Sequence, residues 1–290
     1  MYVGVTGGAG FIGSYVVDEL YARGHVPLIF DHLGRKHADA EVMLGDVRDE
    51  VAMSELAAHC DGIIHLAACL GTQETIRDPR PAAETNIQGG LNFLEACAKY
   101  GIPGVYIGVG NHWMNNPYSI TKTTVERFCA MYNHERGCRI NIVRAMNAYG
   151  PRQLAAVPYG SGKVRKITPS FICRALAGHP VEVYGDGLQV SDMVYVADVA
   201  RALVLALEAE RIIPTVEIGP AKHNTVLEVA KLVIELTGSK SKIVHLPMRP
   251  GEIPNAIVTA NVATLPAIGM NPAKLVPLRE GMKKTIEYFR

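Results

Sequence analysis

Tryptophan is nearly absent from this chain, with 1 in 290 residues, and cysteine is sparse, with 6. The cysteines (Cys60, Cys69, Cys97, Cys129, Cys138 and Cys173) have no paired metal-ligand spacing and no compact framework. That excludes a cysteine-built metal site or a disulfide-stapled fold, and it fits a reducing, cytoplasmic compartment. Charge of either sign is not in excess: 29 Lys and Arg against 28 Asp and Glu leave a net charge of +1. Nothing therefore draws the chain to nucleic acid or to an anionic membrane surface. No apolar run is long enough to span a bilayer, and glycines interrupt the first apolar residues, so they do not read as a signal peptide. Internal repeats and low-complexity tracts are lacking too. What is present is a 48% hydrophobic content, ample for the core of one large domain or of two closely joined ones.

The first motif is Val3-Gly4-Val5-Thr6-Gly7-Gly8-Ala9-Gly10-Phe11-Ile12-Gly13-Ser14. It reads as strand, glycine turn and helix, with Ile12, Val16, Val17 and Leu20 continuing at helical spacing. Gly7 permits the turn, Gly10 lets backbone NH groups approach a pyrophosphate, and Gly13 lets the helix pack closely on the sheet. The helix start offers unpaired NH groups and a positive dipole end to phosphate. A glycine triplet alone is weak evidence, and its bland reading is a surface turn. The strand-turn-helix context is what makes it a dinucleotide site. A second apolar run, His25 to Phe30, ends in Asp31, whose carboxylate suits ribose hydroxyls and repels a 2′-phosphate. Arg35 and Lys36 follow and could serve NADP. NAD is the favoured reading, because two cations in a polar loop are ordinarily solvated.

Strand and helix signals alternate through the first half: strand 2–6, helix 11–23, strands 26–30 and 41–44, helix 50–58, strand 62–66, helix 80–100, strand 104–109, helix 118–136 and strand 139–144. This predicts a Rossmann-type α/β fold, a doubly wound parallel sheet with helices on both faces. After Pro151 come a basic loop (Lys163, Arg165, Lys166), a helix over 168–177 and a short strand pair around 181–195. A helix over 198–207 and a strand at 216–218 are expected to return to the main sheet. The expected division is residues 1–150 with 196–222 as the dinucleotide-binding domain, and 151–195 with 223–290 as a smaller substrate-covering domain.

Tyr118 and Lys122 stand four apart at the start of a predicted helix and so share one face. A neighbouring ammonium favours the phenolate over the phenol, whose ordinary pKa is about 10. Tyr118 could then take a proton from a sugar hydroxyl while a nicotinamide takes the hydride, with Lys122 also able to bind the cofactor ribose. Alone, this spacing is more often an exposed helix pair. After the fifth strand of a dinucleotide fold it points to catalysis.

Taken together, these motifs resemble the extended short-chain dehydrogenase/reductases of the NAD-dependent nucleotide-sugar epimerase/dehydratase family. The resemblance runs nearly the whole length: the glycine loop, Asp31, Asp46-Val47, His65-Leu66-Ala67-Ala68, Thr85-Asn86, Tyr118 with Lys122, Asn147 to Arg152, Gly185-Asp186-Gly187 with Gln189, and Arg249-Pro250-Gly251-Glu252. It implies NAD held by Gly7, Gly10, Phe11, Ile12, Gly13 and Asp31, and by Asp46, Val47, Leu66, Ala67, Ala68, Tyr118 and Lys122. It implies a nucleotide-sugar substrate held by Asn147, Arg152, Gln189, Arg249 and Glu252, with a surface ion pair as the alternative for the last two. Asn86 is implied to support the active-site helix. Relatives pair the helices over 80–100 and 118–136 across a two-fold axis, which implies a homodimer; Leu91, Phe93, Leu94, Val125, Phe128, Met131 and Tyr132 are the apolar residues beyond one core stripe.

Three departures from the family pattern bear on the chemistry. The serine or threonine usual just past the fifth strand is missing from Tyr106-Ile107-Gly108-Val109-Gly110-Asn111-His112-Trp113. Asn111, His112 or Thr72 are the candidate substitutes, and Trp113 reads as a loop anchor. Ser191 stands where many relatives carry an arginine directed at the diphosphate; Lys163, Arg165 and Lys166 could compensate. The adjacent Asp-Glu pair of a 4,6-dehydratase is also missing, which leaves Glu74 and Cys69 as a candidate acid and base for elimination. No metal is implied. Epimerisation at C4 needs the fewest further groups and ranks first, ahead of dehydration (4,6 or 5,6) and uronic acid decarboxylation. The reading from another class is a catalytically reduced NAD sensor or interaction protein.

Overall fold

The computed structural model describes residues 1–34, 37–161 and 164–290. Arg35, Lys36 and Lys163 therefore lie outside the described residues. In chain order the elements are β1 (Tyr2–Thr6), α1 (Phe11–Ala22), β2 (Val26–Asp31), β3 (Glu41–Leu44), α2 (Glu50–Ala58), β4 (Gly62–His65), the short turns α3 (Glu74–Arg77) and α4 (Arg80–Ala82), α5 (Gly89–Tyr100), β5 (Gly104–Val109), α6 (Pro117–Arg136), β6 (Ile140–Ala145), β7 (Asn147–Tyr149), α7 (Ile167–Leu176), β8 (Val181–Tyr184), β9 (Val190–Ser191), β10 (Met193–Tyr195), α8 (Val196–Glu208), β11 (Val216–Ile218), α9 (Val226–Thr237), β12 (Ile243–Leu246), β13 (Ile257–Val258) and α10 (Leu278–Phe289).

Seven parallel strands form one sheet in the order β11-β6-β5-β4-β1-β2-β3. The order reverses direction at β1, between β4 and β2, which is the switch point where an open α/β sheet leaves a crevice beyond its carboxyl ends. The central strands carry near-continuous apolar runs because both faces are covered. On one face α1 and α8 pack Val16, Leu20, Val199 and Leu203 against Val5, Ile64 and Val105. On the other, α2, α5 and α6 bring Met53, Leu56, Phe93, Leu94 and Val125 onto Phe30, Ile63 and Tyr106. A third cluster joins Phe171, Ile172, Val181, Val183, Val229, Val233 and Met282.

The strand pair expected around 181–195 forms differently. β8 lies parallel to β12, β9 to β13 and β10 to β7, in three separate two-stranded ribbons. Gly185 and Gly187 turn the chain with φ of 68° and 77°, so neighbouring strands leave one another for distant partners. The helix expected over 80–100 is continuous in space but contains a π-helical stretch, Ala83–Gln88, between α4 and α5. Among the described residues no helix is long and apolar enough to cross a membrane, and no group of three or more His, Cys, Asp or Glu is placed to hold a metal ion.

Candidate active site

A cavity of about 820 Å³ opens at the carboxyl ends of β1, β2, β4, β5 and β6 and runs under α7, β8 and the segment 249–258. Its floor is the glycine loop. Gly7 has φ of 70°, and a Cβ there would lie 2.9 Å from the Ala67 nitrogen. A Cβ on Gly13 would overlap the Gly7 carbonyl oxygen. Only glycine lets turn, helix and β4 loop approach this closely. The amino end of α1 begins at Gly10 with no side-chain cap and no acid in its first turn, leaving its NH groups and dipole for an anion.

Asp31 is 7% exposed. It accepts from Ala9 N at 3.2 Å and Leu33 N at 3.0 Å, one bond to each oxygen. Each oxygen keeps lone pairs toward the cavity, as a ribose diol requires. Asp46, Val47 and Arg48 line the same end. Arg48 forks onto Asp46 at 2.6–3.0 Å and holds its carboxyl below the usual range. Thr6 Oγ1 accepts from Leu66 N at 3.1 Å and Ala67 N at 3.2 Å, which fixes the loop after β4 that carries Ala68 along the cavity. A pyrophosphate-ready helix end, a buried carboxylate with lone pairs open to the cavity and a cavity of this size fit a dinucleotide.

Tyr118 and Lys122 both line the cavity. Asn116 starts their helix: its Oδ1 accepts from Ser119 N at 2.9 Å, and Pro117 follows at the first helical position. Asn86 sets the helix against the β4 loop. Its amide accepts from Cys69 N at 2.7 Å and donates to Cys69 O at 3.2 Å and to Thr121 Oγ1 at 2.9 Å. Thr121 in turn donates to Tyr118 O at 3.0 Å. Asn86 sits in the π-helical stretch, and such widened turns often serve sites. Lys122 is 1% exposed, and burial pushes its ammonium down to about 7, opposed by Glu126. Burial also pushes the Tyr118 phenol up to about 12. Before a cofactor binds, then, the phenol keeps its proton, and a positive nicotinamide ring is the additional charge that would favour its loss.

The missing hydroxyl has a spatial explanation. A Cβ on Gly110 would strike Met146 Sδ, and one on Gly108 would strike the carboxylate of Glu126. Glu126 is held there by Arg144 at 2.7–3.2 Å, with Glu217 beyond at 3.3 Å. Of the candidate substitutes, Asn111 and Thr72 line the cavity, as Met114 does. Asn111 has only a weak partner, Met114 Sδ at 3.6 Å. His112 is not in the cavity wall; its carbonyl accepts from Thr123 Oγ1 at 3.0 Å on α6. Trp113 is 45% exposed and so is no anchor; Met114, 7% exposed, fills that role.

Elimination chemistry is less well served. Glu74 lines the cavity but is exposed, and its carboxylate accepts from Arg165 N at 3.4 Å beside Gly71. It ties two loops together. Burial pushes the Cys69 thiol up, away from service as a base.

Asn147, Gln189, Arg249 and Glu252 all line the far wall. Gln189 Nε2 donates to Tyr184 O at 3.1 Å while its Oε1 is buried without a partner. Arg249 and Glu252 pair with each other in the wall rather than on the outer surface. Arg249 also lies over the Tyr184 ring, 5.1 Å from its centroid, with Arg165 at 5.6 Å. Arg165 and Arg174 share Glu182, at 3.0 and 2.7 Å, and Lys166 lines the cavity nearby. Ser191 donates to Met193 Sδ at 3.4 Å, so the cations here are Arg249 and those of α7 and its approach. Arg152 corrects an expectation: it is outside the cavity wall. It bonds Asp18 at 2.6 Å and lies 4.5 Å over the Tyr15 ring, bracing the outer side of α1. Tyr184, Arg174, Met114 and Met146 were not singled out in the sequence; for Tyr184 the signal was there, since it directly precedes the Gly185-Asp186-Gly187 turn.

Fold and site together define a dinucleotide-dependent enzyme carrying a Tyr-Lys pair. The chain belongs to the NAD-dependent epimerase/dehydratase family, whose model matches residues 3–219, and its cofactor is NAD. It is similar to UDP-N-acetyl-alpha-D-glucosaminuronate decarboxylase of Bacillus cytotoxicus, 32% identical over 99% of this chain and 97% of that one. Among solved structures, it resembles UDP-glucose 4-epimerase of Thermus thermophilus in complex with NAD, 31% identical with a TM-score of 0.87 over 100% and 99% of the two chains. It likewise resembles UDP-glucose 4-epimerase of Thermotoga maritima with UDP-glucose, 33% identical with a TM-score of 0.88 over 100% and 98%.

Proposed function

We propose that this enzyme inverts C4 of a nucleotide-activated hexose by way of a 4-keto sugar. The observation that carries the reading is the single cavity that joins an NAD-type floor, the Tyr118–Lys122 pair and a cationic far wall. NAD supplies a hydride acceptor that later gives the hydride back. Tyr118 takes and returns the C4 hydroxyl proton; Lys122 holds the cofactor ribose and favours the phenolate. Asn111 or Thr72 contributes the hydrogen bond that a hydroxyl at position 110 would have made. Asn147, Gln189, Arg249 and Glu252 address the nucleotide and diphosphate, with guanidinium groups suited to phosphate. Residues 1–150 with 196–222 form the NAD-binding part, and 151–195 with 223–290 the part that covers the substrate.

Inversion requires the keto sugar to turn and no further acid or base, which suits a site where burial pushes the Cys69 thiol up and Glu74 ties two loops together. A second reading, decarboxylation of a uronic acid after the same oxidation, is favoured by the similarity to a decarboxylase. It also adds no base, because a carboxyl group β to the new ketone leaves as carbon dioxide. The six free cysteines support a reducing cytoplasmic setting. A homodimer through α5 and α6 is supported by Ile120 and Met131, which are 50% and 37% exposed on one stripe of α6. Phe93, Leu94, Val125 and Tyr132 take no part in that face, being 0–2% exposed in the core.

The test is product analysis of the NAD-loaded protein with UDP-, dTDP- and GDP-hexoses and with UDP-uronic acids. A C4 epimer formed by the wild type and not by Tyr118→Phe, with NAD still bound to the variant, supports the reading. A pentose product would replace it with decarboxylation, and no product from any donor would overturn both.

A further inference from the structure

Lys122 is the ammonium on which the oxidation depends, yet among the described residues no acceptor holds its head group. Its Nζ lies over the face of Tyr106, 4.0 Å from the ring centroid. The same tyrosine donates its hydroxyl to the backbone carbonyl of Lys122 at 3.2 Å. Tyr106 is fully buried in β5, outside the cavity wall. The ring is itself fixed from behind. It stacks on His65, centroids 5.9 Å apart and 16° from parallel, and His65 stacks on Phe93 at 4.9 Å and 13°. Thr6 Oγ1, already accepting from two backbone NH groups, points its proton at His65 Nδ1 across 2.9 Å. Burial holds the imidazole neutral, pushing it down to about 3. A column of rings thus runs from Phe93 on α5, through His65 at the end of β4 and Tyr106 on β5, to the head of Lys122, with Thr6 of β1 bonded to the histidine.

We propose that Tyr106 is the positioning residue of Lys122, holding its backbone with the hydroxyl and its ammonium with the ring face, so that the amine stands ready for the cofactor ribose and for Tyr118. The inference rests on the reading of Tyr118 and Lys122 as the oxidising pair. An aromatic face attracts a desolvated ammonium without accepting its hydrogens. The amine therefore keeps all three N–H donors for the ligand, of which a carboxylate partner would have taken one or two. Glu126, one turn further along α6, is bound up with Arg144 and does not bond the amine.

The test separates ring from hydroxyl and uses a readout besides turnover. In NAD-loaded protein, Tyr106→Leu should speed NAD release by about three- to thirty-fold, the range expected for a lost cation–π contact, and lower kcat. Tyr106→Phe, which keeps the ring and loses only the hydroxyl bond to the Lys122 carbonyl, should fall between wild type and Tyr106→Leu on both counts. In a Lys122→Met background Tyr106→Leu should change NAD release no further, because the partner it positions is gone. If Tyr106→Leu fails to fold, Tyr106→Met, ringless but bulkier, carries the same comparison. Leucine and phenylalanine variants that behave alike, or effects that add with Lys122→Met, would overturn the assignment. A wild type that turns over no nucleotide sugar would sink the proposed reaction, while NAD release would still decide the role of Tyr106.

Discussion

Burying an ammonium without a carboxylate costs free energy, and at Lys122 that cost has a definite pH signature. The folded value, about 7, lies below the ordinary lysine value of 10.5, so unfolding takes up a proton between the two. The penalty is fully present below about pH 7, and stability from this group rises with pH from there to about 10.5. Lys122→Met should therefore stabilise the cofactor-free protein by about 2 kcal/mol or more near pH 6, with the gain shrinking near pH 9. Urea denaturation at the two pH values checks this; an equal gain at both would contradict it. Gly110 is a second residue with a sharp expectation. Gly110→Ser should cost about 1–3 kcal/mol by overpacking, and Met146→Ala in the same chain should recover part of it in thermal melts. From the sequence the absence of a hydroxyl at this point was plain, but its replacement by a thioether was not. Met146 reaches Gly110 from just past the end of β6, and no local pattern announces that contact. Arg152 shows the opposite failure: its motif was legible, but its φ of 67° and its pairing with Asp18 turn it to the outside.

At the scale of elements, the segment from Ala83 to Tyr100 links cofactor floor and catalytic helix. Its apolar spacing announced a helix, but the π-helical turns were illegible because they depend on where Asn86 must meet Cys69 and Thr121. A Cβ at Gly89 would lie 2.7 Å from Val47, so the phase of the helix is also fixed by a loop more than forty residues away. Asn86→Ala removes one polar group bridging two elements and leaves the Cys69 NH without its acceptor, at a cost of about 1–3 kcal/mol. It should also lower kcat more than it alters KM, since what it disturbs is the placing of Tyr118. Steady-state kinetics beside a melting curve would show this, and an unchanged kcat would count against the role of Asn86. The ribbons β8–β12, β9–β13 and β10–β7 were missed for a similar reason. Each joins strands far apart in sequence, and short strands carry too little pattern to name a partner.

At the scale of the molecule, the parallel sheet was legible because alternation of strand and helix leaves few arrangements once crossovers are right-handed. The cavity follows from that sheet, since the order reverses at β1 and the glycine loop lies there. The face of α6 that exposes Ile120 and Met131 should pair with a second copy: light scattering at micromolar concentration should give a dimer, and Ile120→Glu with Met131→Glu should give a monomer. A monomeric wild type would contradict the pairing. The central claim is that hydride leaves C4 and returns to it within one cavity. NAD-loaded enzyme given a nucleotide hexose deuterated at C4 should yield the C4 epimer with deuterium still at C4 and no solvent hydrogen at C5. A product that has lost the C4 label, or that gains solvent hydrogen at C5, would contradict the account.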